Sequence, residues 1–192
     1  MRLGVDVSEH QREFDFTGFD FAILRTTDGT YRDHAFAAHL ANARAARVEV
    51  AAYHYLRAPG EGEGVDKQIS AALEVMGDAR LPVWIDVESP AGLTLADVSA
   101  AHRALTTAGV AVEGIYTTAR YWRGHMLLAD AHAFGKLWLA HWGTNPTTDP
   151  FRDQLPSSSD WPKKLGMPEP AVWQFTSRGR VGGVEVDLNL AR

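Results

Sequence analysis

Eight short apolar or alternating runs, at 3–7, 21–26, 48–56, 81–88, 112–118, 136–142, 171–177 and 184–190, set the strongest limit on how this chain folds. Runs of that length, bounded by Gly, Pro, Asn and Asp, read as strands. Four helical patterns lie between them, at 33–47, 65–76, 95–108 and 119–131. Phe36, Leu40 and Ala43 share one face of the first, and Ile69, Leu73 and Met76 share one face of the second. Strands alternating with helices form crossover units of a parallel sheet that is covered on both faces. Eight of them predict an α/β fold in which a TIM-like barrel closes on itself. The alternation stops in the last third. There, 144–170 holds six prolines and the run Ser157-Ser158-Ser159, which predicts an irregular ordered loop, and the last two strands follow with short connections only. Helices should therefore be missing from that side of the barrel.

At 192 residues and 45% hydrophobic, the chain is expected to form a single domain over 1–192 with a sizeable core. A formal net charge of -5 and the lack of any Lys/Arg run argue against a nucleic-acid partner. With no cysteine, thiolate metal sites, disulfides and a cysteine nucleophile are excluded. No apolar run reaches the ~18 residues of a membrane span, and the opening M-R-L-G-V-D-V enters a strand at once, without a signal-peptide pattern. The expectation is a monomer that does not insert into membranes.

Chemistry concentrates in L-P-V-W-I-D-V-E-S, residues 81–89. Val83, Ile85 and Val87 fall on one strand face, to pack on helices, while Trp84, Asp86 and Glu88 fall on the other. Two carboxylates closing an apolar strand are costly unless something uses them. In a barrel of this kind, side chains from different strands converge where the strands end. Asp6, Asp187 and Asn189 share the inward parity of Asp86 and Glu88. Arg25, Tyr53, Tyr55, Tyr116, Trp138, Trp142 and Gln174 are expected at the same mouth as substrate contacts. Aromatic faces beside acids suit a sugar, and paired carboxylates suit glycosidic cleavage.

In order along the chain, G-V-D-V-S-E-H-Q, A-I-L-R-T-T-D-G-T-Y, A-Y-H-Y, W-I-D-V-E, I-Y-T-T-A-R-Y-W, L-W-L-A-H-W-G, W-Q-F-T-S and V-D-L-N resemble glycoside hydrolase family 25, the Chalaropsis-type lysozymes. The resemblance spans nearly the whole chain. It implies a barrel of five β/α units followed by three strands, (β/α)5(β)3. It also implies N-acetylmuramidase action on bacterial peptidoglycan, as in a phage endolysin released from a host cytoplasm with help, or in an enzyme exported by another route. By motif, Glu88 is the general acid/base, Asp86 the second carboxylate, and Asp6 and Asp187 the flanking acids; no cofactor is implied. Asp28 stands where the family commonly has Glu, Arg25 where Lys is frequent, and Val184-Glu185-Val186 shortens the approach to Asp187. A chitinase-like barrel would carry a further acid where this chain has Trp84.

Other features read as structural. His34 and His39 lie on an expected exposed helix without a zinc motif, so no metal is expected. Gly60, Gly62 and Gly64 alternate with Glu61 and Glu63, which would repel phosphate, and read as a flexible loop. Trp122 and Trp161 suit either core or sugar platform. The alternative function is a barrel that binds cell-wall glycan without cleaving it, which should have lost Asp86 or Glu88; both are present.

Overall fold

Alternation sorts each strand into an inward and an outward face, and the sheet closes because both faces find cover. A computed structural model describes residues 1–127, 129–163 and 167–192. Its barrel runs β1 (Arg2–Val7), β2 (Phe21–Asp28), β4 (Glu49–Tyr55), β5 (Val83–Asp86), β6 (Val112–Thr118), β7 (Lys136–Ala140), β8 (Val172–Val181) and β9 (Val184–Ala191). Neighbours from β1 to β8 pair in parallel. Strand β9 closes the ring antiparallel to both β8 and β1. A two-residue strand, β3 (Tyr31–Arg32), folds back on β2 through Gly29 and Thr30 and belongs to no expected run.

Helices α1 (Phe36–Ala45), α2 (Val65–Met76), α3 (Leu95–Thr107) and α4 (Ala119–His125) fill the crossovers from β2 to β7. The first crossover, from β1 to β2, has a 3₁₀ turn at Glu9–Gln11 instead, with Phe14 packed edge-on against Phe16 at 5.0 Å. After β7 no helix occurs among the described residues. Residues 164–166 of the irregular stretch, and residue 128 of the fourth helical pattern, lie outside the described residues.

Helix ends follow local chemistry. Thr94 accepts from the Asp97 N–H while its own N–H donates to Asp97, a reciprocal cap that starts α3. Helix α2 ends at Gly77, whose φ of 51° suits glycine. Val83 and Ile85 on β5, and Val87 just beyond it, pack outward in the large core against the helices. Trp84 points inward, to a second core with Phe21, Ile23, Tyr116, Trp138 and Val172 that plugs the barrel. Gly114 is required there. Its φ is 155°, and a Cβ would sit 1.8 Å from the Lys136 carbonyl oxygen on β7. Below the plug, Arg2–Glu49 at 2.6 Å, Lys136–Glu113 at 2.8 Å and Arg192–Glu169 pair off charge around the far end.

Three expectations need correction. His39 is buried rather than exposed, and its Nε2 lies 2.7 Å from the Gln11 carbonyl. A carbonyl only accepts, so this nitrogen carries the proton. The glycine-rich stretch is tied down: Glu61 accepts from the Ala58 N–H at 3.0 Å, from Ser89 Oγ and from Arg57 at 3.2 Å. Strand β5 stops at Asp86, two residues before the expected end, so Glu88 stands just beyond it.

Candidate active site

Glu88 owes its position to its neighbours' backbone. The Val87 N–H donates to the Tyr116 carbonyl at 2.8 Å, and Thr117 Oγ1 donates to the Val87 carbonyl at 2.8 Å. On the other side, Tyr121 OH donates to the Ser89 carbonyl at 2.9 Å while Ser89 Oγ donates to Glu61. The chain is thus pinned before and after Glu88, whose carboxyl is half-buried.

Glu88 opens on a cleft of about 250 Å³ that it shares with Asp6, Asp86, Asp187, Arg25, Tyr53, Tyr55, Tyr116, Trp138 and Gln174. The 3₁₀ turn after β1 supplies a wall of the cleft, with Ser8, His10 and Gln11. The last two went unremarked in the sequence, although S-E-H-Q is a capping-box pattern that could have flagged them. Gln11 accepts from the Ser8 N–H at 3.1 Å and donates to the Glu185 carbonyl at 3.1 Å, tying this wall to β9. Trp142 does not line the cleft. It is 39% exposed, borders a neighbouring depression with His141, Trp173 and Phe175, and reaches the cleft through an indole N–H donated to Gln174 at 2.9 Å. Trp122 and Trp161 are core residues at 1% and 2% exposure.

The aromatic floor is built around Trp138, with the Tyr116 ring at 4.5 Å, Trp84 at 5.8 Å and Tyr53 at 6.1 Å. On β2 the register with β4 slips between Arg25 and Thr27. Thr26 is the extra residue of a bulge, and so both Arg25 and Asp28 turn to the inner side. Arg25 is held by Asp33 at 2.8 Å, a partner the sequence did not suggest, with Glu9 at 3.8 Å. Asp28 takes Arg57 in a two-pronged pair at 2.6 and 2.9 Å, and that guanidinium lies 4.7 Å over the Tyr55 ring.

The acids are strongly perturbed. Burial, then the charge of Asp6, raises Glu88 to about 7. Burial, then Glu88 and Asp6, pushes Asp86 well above the usual carboxyl range, and its Oδ1 is buried with no protein partner. Asp6 and Asp187 are cross-strand partners on β1 and β9. Burial raises both, and the Asp6 charge raises Asp187 further. Hydrogen bonds from Asn189 and Gln174 work the other way on Asp6. Among the described residues no cluster of His, Asp and Glu is arranged to hold a metal ion, and no helix is long and apolar enough to cross a membrane.

A closed barrel carrying a proton-bearing acid, a buried carboxylate and an aromatic floor at its strand ends defines a class, the barrel glycoside hydrolases. Residues 5–184 match the model of the glycosyl hydrolases family 25, and the chain belongs to that family. It is 30% identical over 210 residues to Lysozyme M1 of Streptomyces globisporus; the match covers 97% of this chain but spans only 65% of that relative's length. It is 28% identical over 198 residues to probable GH family 25 lysozyme 2 of Dictyostelium discoideum, covering 97% of this chain and 89% of that one. In fold it is similar to the catalytic domain of an endolysin from a bacteriophage of Listeria monocytogenes, with a TM-score of 0.78 at 20% identity, over 100% of this chain and 93% of the other.

Proposed function

We propose that this chain is an N-acetylmuramidase that cleaves the β-1,4 bond between N-acetylmuramic acid and N-acetylglucosamine in bacterial peptidoglycan, as part of cell-wall lysis. The observation that carries this reading is the pair at the end of β5: an accessible Glu88 that holds its proton up to about pH 7, beside Asp86, whose buried Oδ1 has no partner. An acid protonated near neutrality can deliver its proton to the glycosidic oxygen. A buried acceptor without a donor suits the N–H of a substrate acetamido group. Relatives named as lysozymes support the same substrate class.

In this reading Glu88 is the general acid and then the general base. Asp86 orients the 2-acetamido group and balances the charge of an oxazolinium-like intermediate. Asp6 and Asp187 flank the pair, while Tyr53, Tyr55, Tyr116, Trp138, Arg25 and Gln174 line the surrounding cleft and Trp142 borders the depression beside it. The Asp86–Glu88 pair titrates as a unit. In the free protein burial keeps a proton on Asp86; an acetamido N–H donated to Oδ1 favours its ionised form, so binding substrate shifts the proton preference to Glu88, where the chemistry needs it.

The test is incubation with purified peptidoglycan and mass analysis of the new ends. Muramic-acid reducing ends are expected, and glucosamine reducing ends would overturn the assignment. Proton NMR of fresh product is expected to show the β-anomer, because two inversions at the anomeric carbon give net retention. An initial α-anomer would remove the acetamido group from the mechanism.

A further inference from the structure

Two side-chain amides stand between the tryptophans and the acids, and the chemistry of the indoles fixes which way each amide faces. An indole N–H only donates. Trp138 donates to Asn189 Oδ1 at 2.7 Å, and Trp142 donates to Gln174 Oε1 at 2.9 Å, where Tyr116 OH also donates at 3.0 Å. Both amide NH₂ groups must then face the acids. Asn189 Nδ2 donates to Asp6 Oδ2 at 2.7 Å; Gln174 Nε2 donates to the same oxygen at 3.0 Å and to Asp187 Oδ2 at 3.3 Å. Gln174 thereby uses both lone pairs and both hydrogens on protein groups while fully buried, and has none left for a sugar hydroxyl.

We infer that Gln174 and Asn189 are positioning residues which, each oriented by a tryptophan N–H, hold Asp6 as the ionised and Asp187 as the neutral member of the acid pair, so that Trp142 at the rim acts on the acids through hydrogen bonds as well as through its ring. Two N–H donors on one carboxylate oxygen favour its charged form. Asp187 receives only the longer bond, hydrogen-bonds Asp6, and is raised further by the Asp6 charge, by Glu88 and by Glu185. The other acid facing the pair is Asp86 on β5; Tyr53 on β4 and Tyr116 on β6 are phenols pushed well above their usual range. Arg25 on β2 is the cation across the cleft and is engaged by Asp33, while His10 lines the opening. The consequence reaches Glu88, because the Asp6 charge is what adds to burial in holding its proton.

The inference deepens the muramidase reading, and only its rate measurements rest on that reading. Trp142→Phe keeps an aromatic ring and removes the N–H; Gln174→Met removes both of the bonds that Gln174 donates to the acids and leaves that of Asn189. With those donors removed, or free to turn away, Asp6 ionises at higher pH and its charge does less to hold the Glu88 proton, so the alkaline limb of kcat/KM should move to lower pH. The expected shift is about one pH unit for Gln174→Met, and a smaller one in the same direction for Trp142→Phe. Carbon-13 NMR of the side-chain carboxyls, assigned with Asp6→Asn and Asp187→Asn, should show the Asp6 midpoint rising in both variants. A Trp142→Phe protein with raised KM, an unmoved limb and an unmoved Asp6 midpoint would overturn the inference and leave Trp142 a sugar platform. The NMR arm needs no activity, so it decides the matter even if the muramidase reading fails. Trp142 is part exposed, which keeps the test in hand should Gln174→Met not fold.

Discussion

Glu88→Gln separates chemistry from folding at a single atom pair. The amide keeps the shape of the side chain but has no proton to give, so activity on peptidoglycan should fall by about 100- to 10,000-fold, the usual contribution of a positioned acid. Circular dichroism and the melting temperature should stay near those of the parent, and near-parental turnover would refute the assignment. The native rate should fall as pH rises through about 7, where Glu88 loses its proton. Asp86→Asn should be equally damaging to activity but favourable to stability, and the sign follows from proton linkage. Unfolded, this carboxyl ionises near 4; folded, burial and Glu88 hold its proton to well above that range. Between the two the folded chain binds more protons than the unfolded, so stability falls as pH rises. Asparagine cannot ionise and removes that loss. At pH 8 the variant should melt above the parent by about 2–4 °C for each ~1 kcal/mol recovered, and at pH 4 the two should coincide. The D-V-E spacing made these two residues legible in the sequence. The orphan Oδ1 was not, because it depends on what the other strands fail to provide.

At the scale of strands and helices, period-two alternation was enough to tell inward from outward faces on β1, β5 and β9. It failed where the backbone departs from strict alternation. The Thr26 bulge turns both Arg25 and Asp28 inward, and no residue type in A-I-L-R-T-T-D-G announces it. Thr27 and His54, 2.6 Å apart on the outer side, stabilise it by a contact between strands 27 positions apart. His39 was misplaced for a related reason: its partner is a loop carbonyl 28 residues away, which no helical periodicity encodes. The β3 hairpin was missed although Gly29-Thr30 is a fair two-residue turn signal, since a strand of two residues leaves almost no pattern. Two glycines test how strictly the barrel geometry is set. Gly114→Ala would drive a Cβ to 1.8 Å from the Lys136 carbonyl, a clash with β7 backbone that no rotamer relieves; a loss of about 3 kcal/mol or more is expected by urea unfolding. Gly124→Ala, on α4 with nothing within 4 Å, should instead gain up to about 1 kcal/mol. Equal effects at the two positions would mean that β6 and β7 leave room for a Cβ at Gly114.

Among the described residues, charged side chains are distributed unevenly between the two ends of the barrel. The far end of the barrel is balanced, with Arg2, Lys136 and Arg192 each paired to a glutamate. The mouth carries Asp6, Asp86, Glu88 and Asp187 around an Arg25 already engaged by Asp33, and the net charge of the chain is -5. On the proposed function, a chain of net charge -5 approaches an anionic polymer, so the long-range term opposes encounter instead of steering it. Salt shortens that repulsion, from a range of about 30 Å at 0.01 M to about 8 Å at 0.15 M. The rate of solubilising intact walls at low substrate should therefore rise over that interval. Small glycan fragments stripped of peptide and wall polymer carry little charge, and their cleavage should stay nearly flat. Turbidity clearing of walls and chromatography of fragment products, run in the same buffers, give the two curves. A wall rate that fell with added salt would mean that short-range attraction at the mouth outweighs the net field, and would point to cationic groups on the wall as the species the acidic cleft meets first.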